Sequence, residues 1–184
     1  RDNMHEVFNP CLTWTEKLPV RSIGRLISVN RANFSLASRC FGKIDLIHAH
    51  VSYPAGYIAS ILAKEYDIPY VMTEHMGPFP LPHYWRDGKP FPEITEAFAH
   101  ASKTVAVSPA LAKQIAALGY REPCVIPNAI DEKRFSMGKP SSSKFVFFTL
   151  CGLTRSKGIY HLLEAIARWN PPADRFEFRI GGDG

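Results

Sequence analysis

Short apolar runs alternate with amphipathic segments along most of the chain. The apolar runs cover residues 44–49, 70–73, 104–107, 124–126, 145–150 and 176–180, and segments of helical periodicity between them cover residues 56–66, 94–101, 109–118 and 159–169. Short strands that alternate with amphipathic helices favour a parallel sheet with helices on both faces. The pattern therefore predicts an α/β protein.

An amphipathic segment over residues 20–41 precedes these elements. Its apolar side carries Ile23, Leu26, Ile27, Phe34, Ala37 and Phe41, and its other side carries Arg21, Arg25, Arg31 and Arg39. Two interpretations of this basic face stay open. It is either an ordinary solvated helix face or a surface that contacts an anionic membrane or a phosphorylated acceptor.

Charge and cysteine content argue against several classes of protein. Residues 1–43 hold seven basic and three acidic residues, and therefore +4 of the net charge of +5. The remaining chain is nearly neutral and has no basic stripe with interleaved aromatic residues, so we expect no nucleic-acid partner. The four cysteines are widely separated, which argues against a zinc ribbon or a disulfide scaffold and favours a reducing cytoplasm.

Two stretches interrupt the alternation of strands and helices. Residues 76–92 are rich in proline and predict a long loop at the carboxyl side of a strand, where open α/β sheets hold ligands. Residues 137–143 have the composition of a linker. We therefore expect one domain over residues 1–136 that lacks its first strands, and the truncated start of a second domain over residues 144–184, as in an internal piece of a longer protein.

Histidines cluster at two predicted strand ends. His48 and His50 end one strand, and the alternation of side chains in a strand places both imidazoles on the same face. Glu74 and His75 end the next strand. These side chains suggest either a metal site or hydrogen bonds to a ligand. We expect His75 to contact the ligand and His48 to be structural, because only the last residue of a strand reaches the crevice readily.

A strand-to-helix turn over residues 151–158 carries glycine, arginine and lysine. Backbone N–H groups and the positive end of the helix dipole favour phosphate at such a turn, and Lys157 adds a full charge. The sequence contains no D-x-D pair, G-x-G-x-x-G fingerprint or G-x-S-x-G elbow. The absence of a carboxylate pair favours a metal-free phosphate site.

Six motifs occur in an order known from one family of enzymes. They are DLIHAH at 45–50, TEH at 73–75, VAVS at 105–108, IPNAID at 126–131, KG at 157–158 and GDG at 182–184. In these motifs the chain resembles the retaining GT-B glycosyltransferases of family 4. The resemblance implies two Rossmann-like domains that face each other across a cleft, with the acceptor on the N-terminal domain and the nucleotide sugar mainly on the C-terminal one.

The resemblance also implies roles for individual residues. His75 corresponds to the catalytic-site histidine that approaches the donor sugar, and His50, Glu74 and Asn128 would line the cleft. Lys157 corresponds to the lysine that binds the donor diphosphate. The remaining residues expected at the donor are Arg155, Gly158, Gly182 and Gly184. The family has an arginine where this chain has Gly152, and Arg155 is a candidate to replace it.

The function implied is transfer of a sugar from a UDP- or GDP-sugar to a saccharide or lipid-linked acceptor, with retention of anomeric configuration and without metal or other cofactor. We expect such an enzyme in polysaccharide biosynthesis, in the cytoplasm or at the inner face of its membrane, and we expect this chain alone to be inactive. Two alternatives remain: a metal-dependent hydrolase that uses His48, His50 and His75, and a non-catalytic binding protein of GT-B type.

Overall fold

The computed structural model describes residues 4–10, 19–135, 138 and 142–184, with the backbone alone over 19–22. The chain divides into two compact units, Arg1–Ala129 and Ile130–Gly184. Most of the predicted linker, residues 137 and 139–141, lies outside the described residues, so the predicted domain boundaries stay predictions. No helix in the described part of the chain is long and apolar enough to cross a membrane.

The first unit is a mixed α/β structure around a parallel sheet. Its elements in chain order are α1 (Pro19–Phe41), β1 (Ile47–His50), α2 (Tyr57–Tyr66), β2 (Tyr70–Glu74), β3 (Trp85–Arg86), β4 (Lys89–Pro90), α3 (Pro92–His100), β5 (Lys103–Ala106), α4 (Pro109–Ala117) and β6 (Cys124–Val125). The sheet has the order β1-β2-β5-β6, and all its neighbouring strands are parallel. The predicted parallel α/β architecture is confirmed.

Local sequence explains several of the element boundaries. β1 begins at Ile47 rather than at residue 44, because Ile47 donates to the carbonyl of Pro69 and pairing starts beside Tyr70. Pro69 has no N–H with which to extend the ladder. α4 begins where it was predicted, since Oγ of Ser108 accepts the N–H of Leu111 and caps the helix.

The proline-rich segment is more ordered than the long loop that was predicted. It contains a short 3₁₀ turn at Pro82–Tyr84 and the two-stranded hairpin of β3 and β4. Asp87 and Gly88 close the hairpin with φ angles of +52° and +71°. An Asp-Gly pair is a strong signal for such a turn, because both residues tolerate positive φ. The sequence contained this signal, but the surrounding prolines led to the prediction of a loop instead of a hairpin.

The core of the first unit lies between the sheet and helices α2, α3 and α4. Met72 on β2, Ile94 and Ala97 on α3 and Ile115 on α4 are at most 1% exposed. The hydroxyl of Tyr70 donates to the carbonyl of Ala97 at 2.7 Å, which satisfies the only polar atom of that buried side chain. Helix α3 is thereby tied to the central strand of the sheet.

Helix α1 packs against α2 through its predicted apolar side. The ring of Phe34 stacks on Tyr66 with centroids 4.1 Å apart, and Arg31 forms an ion pair with Glu65. One arginine of the predicted basic face is therefore engaged by the protein itself. The side chain of Arg21 lies outside the described residues, and contact of this face with an anionic membrane stays a prediction.

The second unit is a single parallel βαβ arrangement. It consists of β7 (Phe145–Leu150), α5 (Ile159–Trp169) and β8 (Phe176–Gly181), with β7 and β8 paired from Phe145↔Phe176 to Leu150↔Gly181. Rings of Phe147, Trp169, Phe176 and Phe178 pack between the strands and the helix. The predicted strand, helix and strand of this unit are confirmed within one residue at each end.

Gly56 directly precedes helix α2 and lies close to β2 and α3. A Cβ at this position would meet Sδ of Met72 at 2.5 Å, and Cβ of Ala97 and the carbonyl oxygen of Val51 at 3.2 Å each. The residue has an ordinary right-handed helical conformation, so the requirement for glycine is steric. The turn after β1, strand β2 and helix α3 therefore all come close to a residue that has no side chain.

We expect Gly56→Ala to lower the free energy of unfolding by about 1–3 kcal/mol, because overpacking forces well-packed neighbours to shift. Gly24→Ala is the matched control, since a Cβ on Gly24 in α1 would have no atom within 4 Å. Urea denaturation of both variants tests the expectation. Equal stability of Gly56→Ala and Gly24→Ala would contradict the close approach at Gly56.

Candidate functional site

Three histidines meet at the carboxyl ends of β1 and β2. The rings of His48 and His50 have centroids 4.4 Å apart, which confirms the prediction that both lie on one face of β1. His75 follows β2, and its Nε2 lies 2.8 Å from Nδ1 of His50. The structure therefore brings together the three histidines that the sequence singled out.

His48 lies at the end of this row farthest from His75 and is exposed like the other two. Its Nε2 lies 2.9 Å from Oγ1 of Thr73 on β2, the residue that β-sheet register places opposite His50. Partial desolvation, together with the neighbouring rings of His50 and His75, lowers the pKa of His48 below its ordinary value of 6.5. A neutral His48 bound to Thr73 fits the structural role expected for it.

Glu74, the last residue of β2 and the neighbour of His75 in sequence, is fully buried. Its Oε2 accepts the N–H of Ser52 at 2.8 Å, and its Oε1 accepts the N–H groups of His75 and Met76 at 2.8 and 2.9 Å. The residue was predicted to line the cleft. In the structure it contacts the backbone of the two turns that follow β1 and β2, and it influences the site through them.

The turn after β1 is strained. Val51 has a φ of +68°, a value that costs a β-branched residue on the order of 1–3 kcal/mol. Its N–H donates to the carbonyl of Thr73 at 2.8 Å, and its carbonyl accepts the N–H of Gly56 at 2.9 Å. These bonds, with the one from Ser52 to Glu74, hold the strained conformation next to His50.

The sequence left open that the three histidines bind a metal. In the part of the chain that the structure describes, no group of three or more His, Cys, Asp or Glu side chains is placed to hold a metal ion. Nε2 of His48 is hydrogen-bonded to Thr73, and Nδ1 of His50 is hydrogen-bonded to His75.

The turn of the second unit that was predicted to bind phosphate follows β7 and lies beside the end of β8. Cys151 donates its N–H to the carbonyl of Gly181, and Leu153 donates its N–H to the carbonyl of Asp183 at 2.7 Å. A 3₁₀ turn at Arg155–Lys157 follows, and α5 begins after Gly158, whose φ is +76°. Lys157 thus ends a short turn and is exposed to solvent directly before the helix.

Gly182 and Gly184 pack against the first half of this turn. A Cβ on Gly182, whose φ is +137°, would lie 1.9 Å from the carbonyl oxygen of Cys151. A Cβ on Gly184 would lie 2.9 Å from the carbonyl oxygen of Leu153. Both residues must be glycine for the strand ends to approach, which is a packing reason that the sequence did not provide.

Gly152, where the resemblance implies an arginine, lies in open space. A Cβ on Gly152 would have its nearest neighbour, the carbonyl oxygen of Asp183, at 3.9 Å. The guanidinium of Arg155 lies 5.2 Å from the centroid of the Tyr160 ring, a cation–π distance. The roles predicted for Arg155 and Lys157 stay predictions, as does that of Asn128, which is exposed near the end of the first unit.

Comparison with known families decides the class of protein. Residues 6–134 match the family described as Glycosyltransferase Family 4, which covers more than half of the chain and includes β1 and β2. The chain belongs to Glycosyltransferase Family 4. The recognition made from the motifs is confirmed, and the Rossmann-like parallel sheet fits the GT-B fold of this family.

One relative adds detail to this assignment. The chain is 32% identical over 135 residues to a protein of Bacillus subtilis (strain 168) described as "Putative teichuronic acid biosynthesis glycosyltransferase TuaC". The aligned region covers 66% of this chain and 34% of that relative. The chain therefore spans about a third of the length of the curated relative that it matches.

The lowered pKa of His48 predicts that acid destabilises the first unit. The unfolded chain binds a proton at this imidazole near pH 6.5, whereas the folded protein resists it, so stability is full above pH 6.5 and falls as the pH drops below that value. We expect His48→Gln, whose amide can still reach Thr73, to reduce the fall in Tm between about pH 7.5 and about pH 5.5.

Thermal denaturation across that pH range measures the effect. His161→Gln is the control, because His161 lies on α5 with its side chain 87% exposed. An unchanged pH dependence of Tm in His48→Gln would contradict the assignment of this pKa to His48.

The contacts of Glu74 predict a second effect on stability. In Glu74→Gln an amide NH₂ replaces one carboxylate oxygen, so at least one backbone N–H of Ser52, His75 or Met76 faces a donor instead of an acceptor. We expect a loss of about 1–3 kcal/mol in the free energy of unfolding.

Chemical denaturation measures this loss, with Glu65→Gln as the control. Glu65 is also a carboxylate in a hydrogen-bonded ion pair, but it is exposed at the surface of α2. Its replacement should change stability little. If Glu74→Gln were as stable as Glu65→Gln, the buried carboxylate would not hold the two turns.

Proposed function

We propose that the protein of which this chain forms part transfers a sugar from a UDP- or GDP-sugar to a saccharide or lipid-linked acceptor, with retention of configuration and without metal. The observation that carries the proposal is the family match over residues 6–134, which includes the histidine site. The relative's description as a glycosyltransferase of teichuronic acid biosynthesis supports a saccharide or lipid-linked acceptor and a role in polysaccharide synthesis.

The donor diphosphate would bind at the turn between β7 and α5. Arg155 and Lys157 precede the helix, and the first turn of α5 carries no acidic residue. The positive end of the helix dipole and a fixed cation both stabilise an anion there. A cation that is already in place stabilises the charge that develops on the departing nucleotide, which is the main requirement of a metal-free transfer.

Gly182 and Gly184 would support the donor through the turn that they pack against. Because both allow β8 to approach Cys151 and Leu153 closely, they fix the backbone from which Arg155 and Lys157 project. Gly158 contributes the positive φ that ends the 3₁₀ turn and begins the helix. The donor-binding roles of these three glycines are in this view roles of backbone geometry.

The sugar would be met by the histidine site of the first unit. The proposal assigns contact with the transferred sugar to His75, and it is supported by the exposure of that ring and by the hydrogen bond that holds its backbone to Glu74. His50 lies beside it, and Asn128 lies near the end of the unit. No group other than the nucleotide sugar is required as a cofactor in this proposal.

Sugar transfer by the whole protein tests the proposal. We expect His75→Ala and Lys157→Ala each to lower kcat about 100-fold, a typical loss when one preorganised group that stabilises the transition state is removed. Arg168→Ala is the matched control, because it removes a cation at the last turn of α5.

We further expect Gly152→Arg to be tolerated and to increase the affinity for the donor, since residue 152 has space for a side chain.

The product's anomeric configuration, read by NMR, tests retention, and an unchanged rate in EDTA tests independence of metal. Normal turnover of both His75→Ala and Lys157→Ala would overturn the site assignment. Stoichiometric zinc that survives dialysis would favour the hydrolase alternative. Binding without preference for any nucleotide sugar, with no transfer, would favour the non-catalytic alternative.

A further inference from the structure

The hydrogen bond between His50 and His75 has a chemical requirement of its own. Nδ1 of His50 and Nε2 of His75 are 2.8 Å apart, and the two rings stack with an angle of 24°. A hydrogen bond between two imidazoles needs one nitrogen that carries a proton and one that does not. The pair therefore holds one proton between its facing nitrogens, and each ring is restricted to a tautomer that fits.

His50 is itself fixed from the other side. The ring of His48 lies 4.4 Å from it, and His48 is bound to Thr73 on the neighbouring strand. The row of three rings thus begins on the sheet and ends at His75. Because both His48 and His50 belong to β1, the ring of His75 is held by an element other than its own.

The backbone of His75 is held independently of its ring. Its N–H donates to Oε1 of Glu74, and the next N–H along the chain, that of Met76, donates to the same oxygen. With backbone and Nε2 both engaged, the ring nitrogen left over is Nδ1. Among the residues that the structure describes, Nδ1 of His75 has no hydrogen-bond partner.

We propose that His50 is a positioning residue for His75: it fixes the orientation and tautomer of that ring and leaves Nδ1 of His75 as the nitrogen that meets the ligand. Sugar hydroxyl groups both donate and accept hydrogen bonds, so the tautomer of His75 decides which of these the sugar must do. The identity of the ligand rests on the proposed function. The coupling of the two rings does not.

Two replacements of His50 separate its ring from its nitrogen. His50→Phe keeps an aromatic ring that can stack on His48 and His75 but removes the nitrogen. His50→Asn removes the ring but places a polar amide atom near the position of Nδ1. His83→Phe is the control, because His83 is exposed in the proline-rich segment and its ring makes an edge-on contact with Tyr84 rather than with the other histidines.

Long-range ¹H–¹⁵N NMR of the 184-residue chain at neutral pH gives a readout that does not depend on activity. The separation of the Nδ1 and Nε2 shifts of His75 reports its tautomer. We expect this separation to change in His50→Phe, to return toward the original value in His50→Asn, and to stay unchanged in His83→Phe. A merely structural role for His50 would not link its nitrogen to the tautomer of His75.

Unchanged His75 shifts in His50→Phe would overturn the proposal, as would equal changes in His50→Phe and His50→Asn. In the whole protein we expect His50→Phe to lower kcat about tenfold with little change in KM, because it disturbs the orientation of a reacting-site group rather than binding of the donor. Absence of transfer in the unsubstituted protein would count against the proposed function alone, since the NMR result stands without it.

Discussion

The carboxylate of Glu74 connects the strand ends on which the candidate site is built. It accepts N–H groups of Ser52, His75 and Met76, which belong to two turns that are distant in sequence. Buried N–H groups without partners are costly. One buried side chain therefore satisfies both turns and sets the distance between them.

The strain at Val51 is sustained by the same interaction. A positive φ at a β-branched residue persists only when its surroundings determine the backbone on both sides. Val51 is bonded through its own N–H and carbonyl, and the following N–H, that of Ser52, is bonded to Glu74. The chain can therefore turn sharply after His50 and leave that ring exposed beside His75. The buried Glu74 side chain thus determines the backbone geometry on which the exposed imidazoles of the candidate site are placed.

The sequence predicted the architecture and the location of the site because both follow from periodicity. Alternation of side chains in β1 placed His48 and His50 on one face, and strand ends in a parallel sheet brought His75 to them. The burial of Glu74 could not be read in this way. It depends on β2 lying between β1 and β5, and the order of strands in a sheet is a tertiary property. The pairing of ring nitrogens between His50 and His75 likewise depends on side-chain rotamers, which a sequence pattern does not encode.

Gly182 and Gly152 both belong to the turn region of the second unit, but only one of them is required by packing. Gly182 is required because the carbonyl oxygen of Cys151 occupies the place of a Cβ, whereas at Gly152 the nearest atom is 3.9 Å away. The resemblance alone would treat Gly182 as a ligand contact and Gly152 as a lost one. Packing explains why residue 182 is glycine. At residue 152 there is space for a side chain, so packing does not explain the glycine there.

In the proposed donor site, the glycine at position 152, where the resemblance implies an arginine, would therefore change the charge of the turn rather than its backbone. What remains at the turn is Lys157, together with an Arg155 whose guanidinium lies over the Tyr160 ring. A cation held on an aromatic face is partly preorganised, and it must leave or share that face to bind a phosphate. The strength of the proposed donor site would then depend on how the attraction of a diphosphate for Arg155 compares with the attraction of the Tyr160 ring for the same guanidinium.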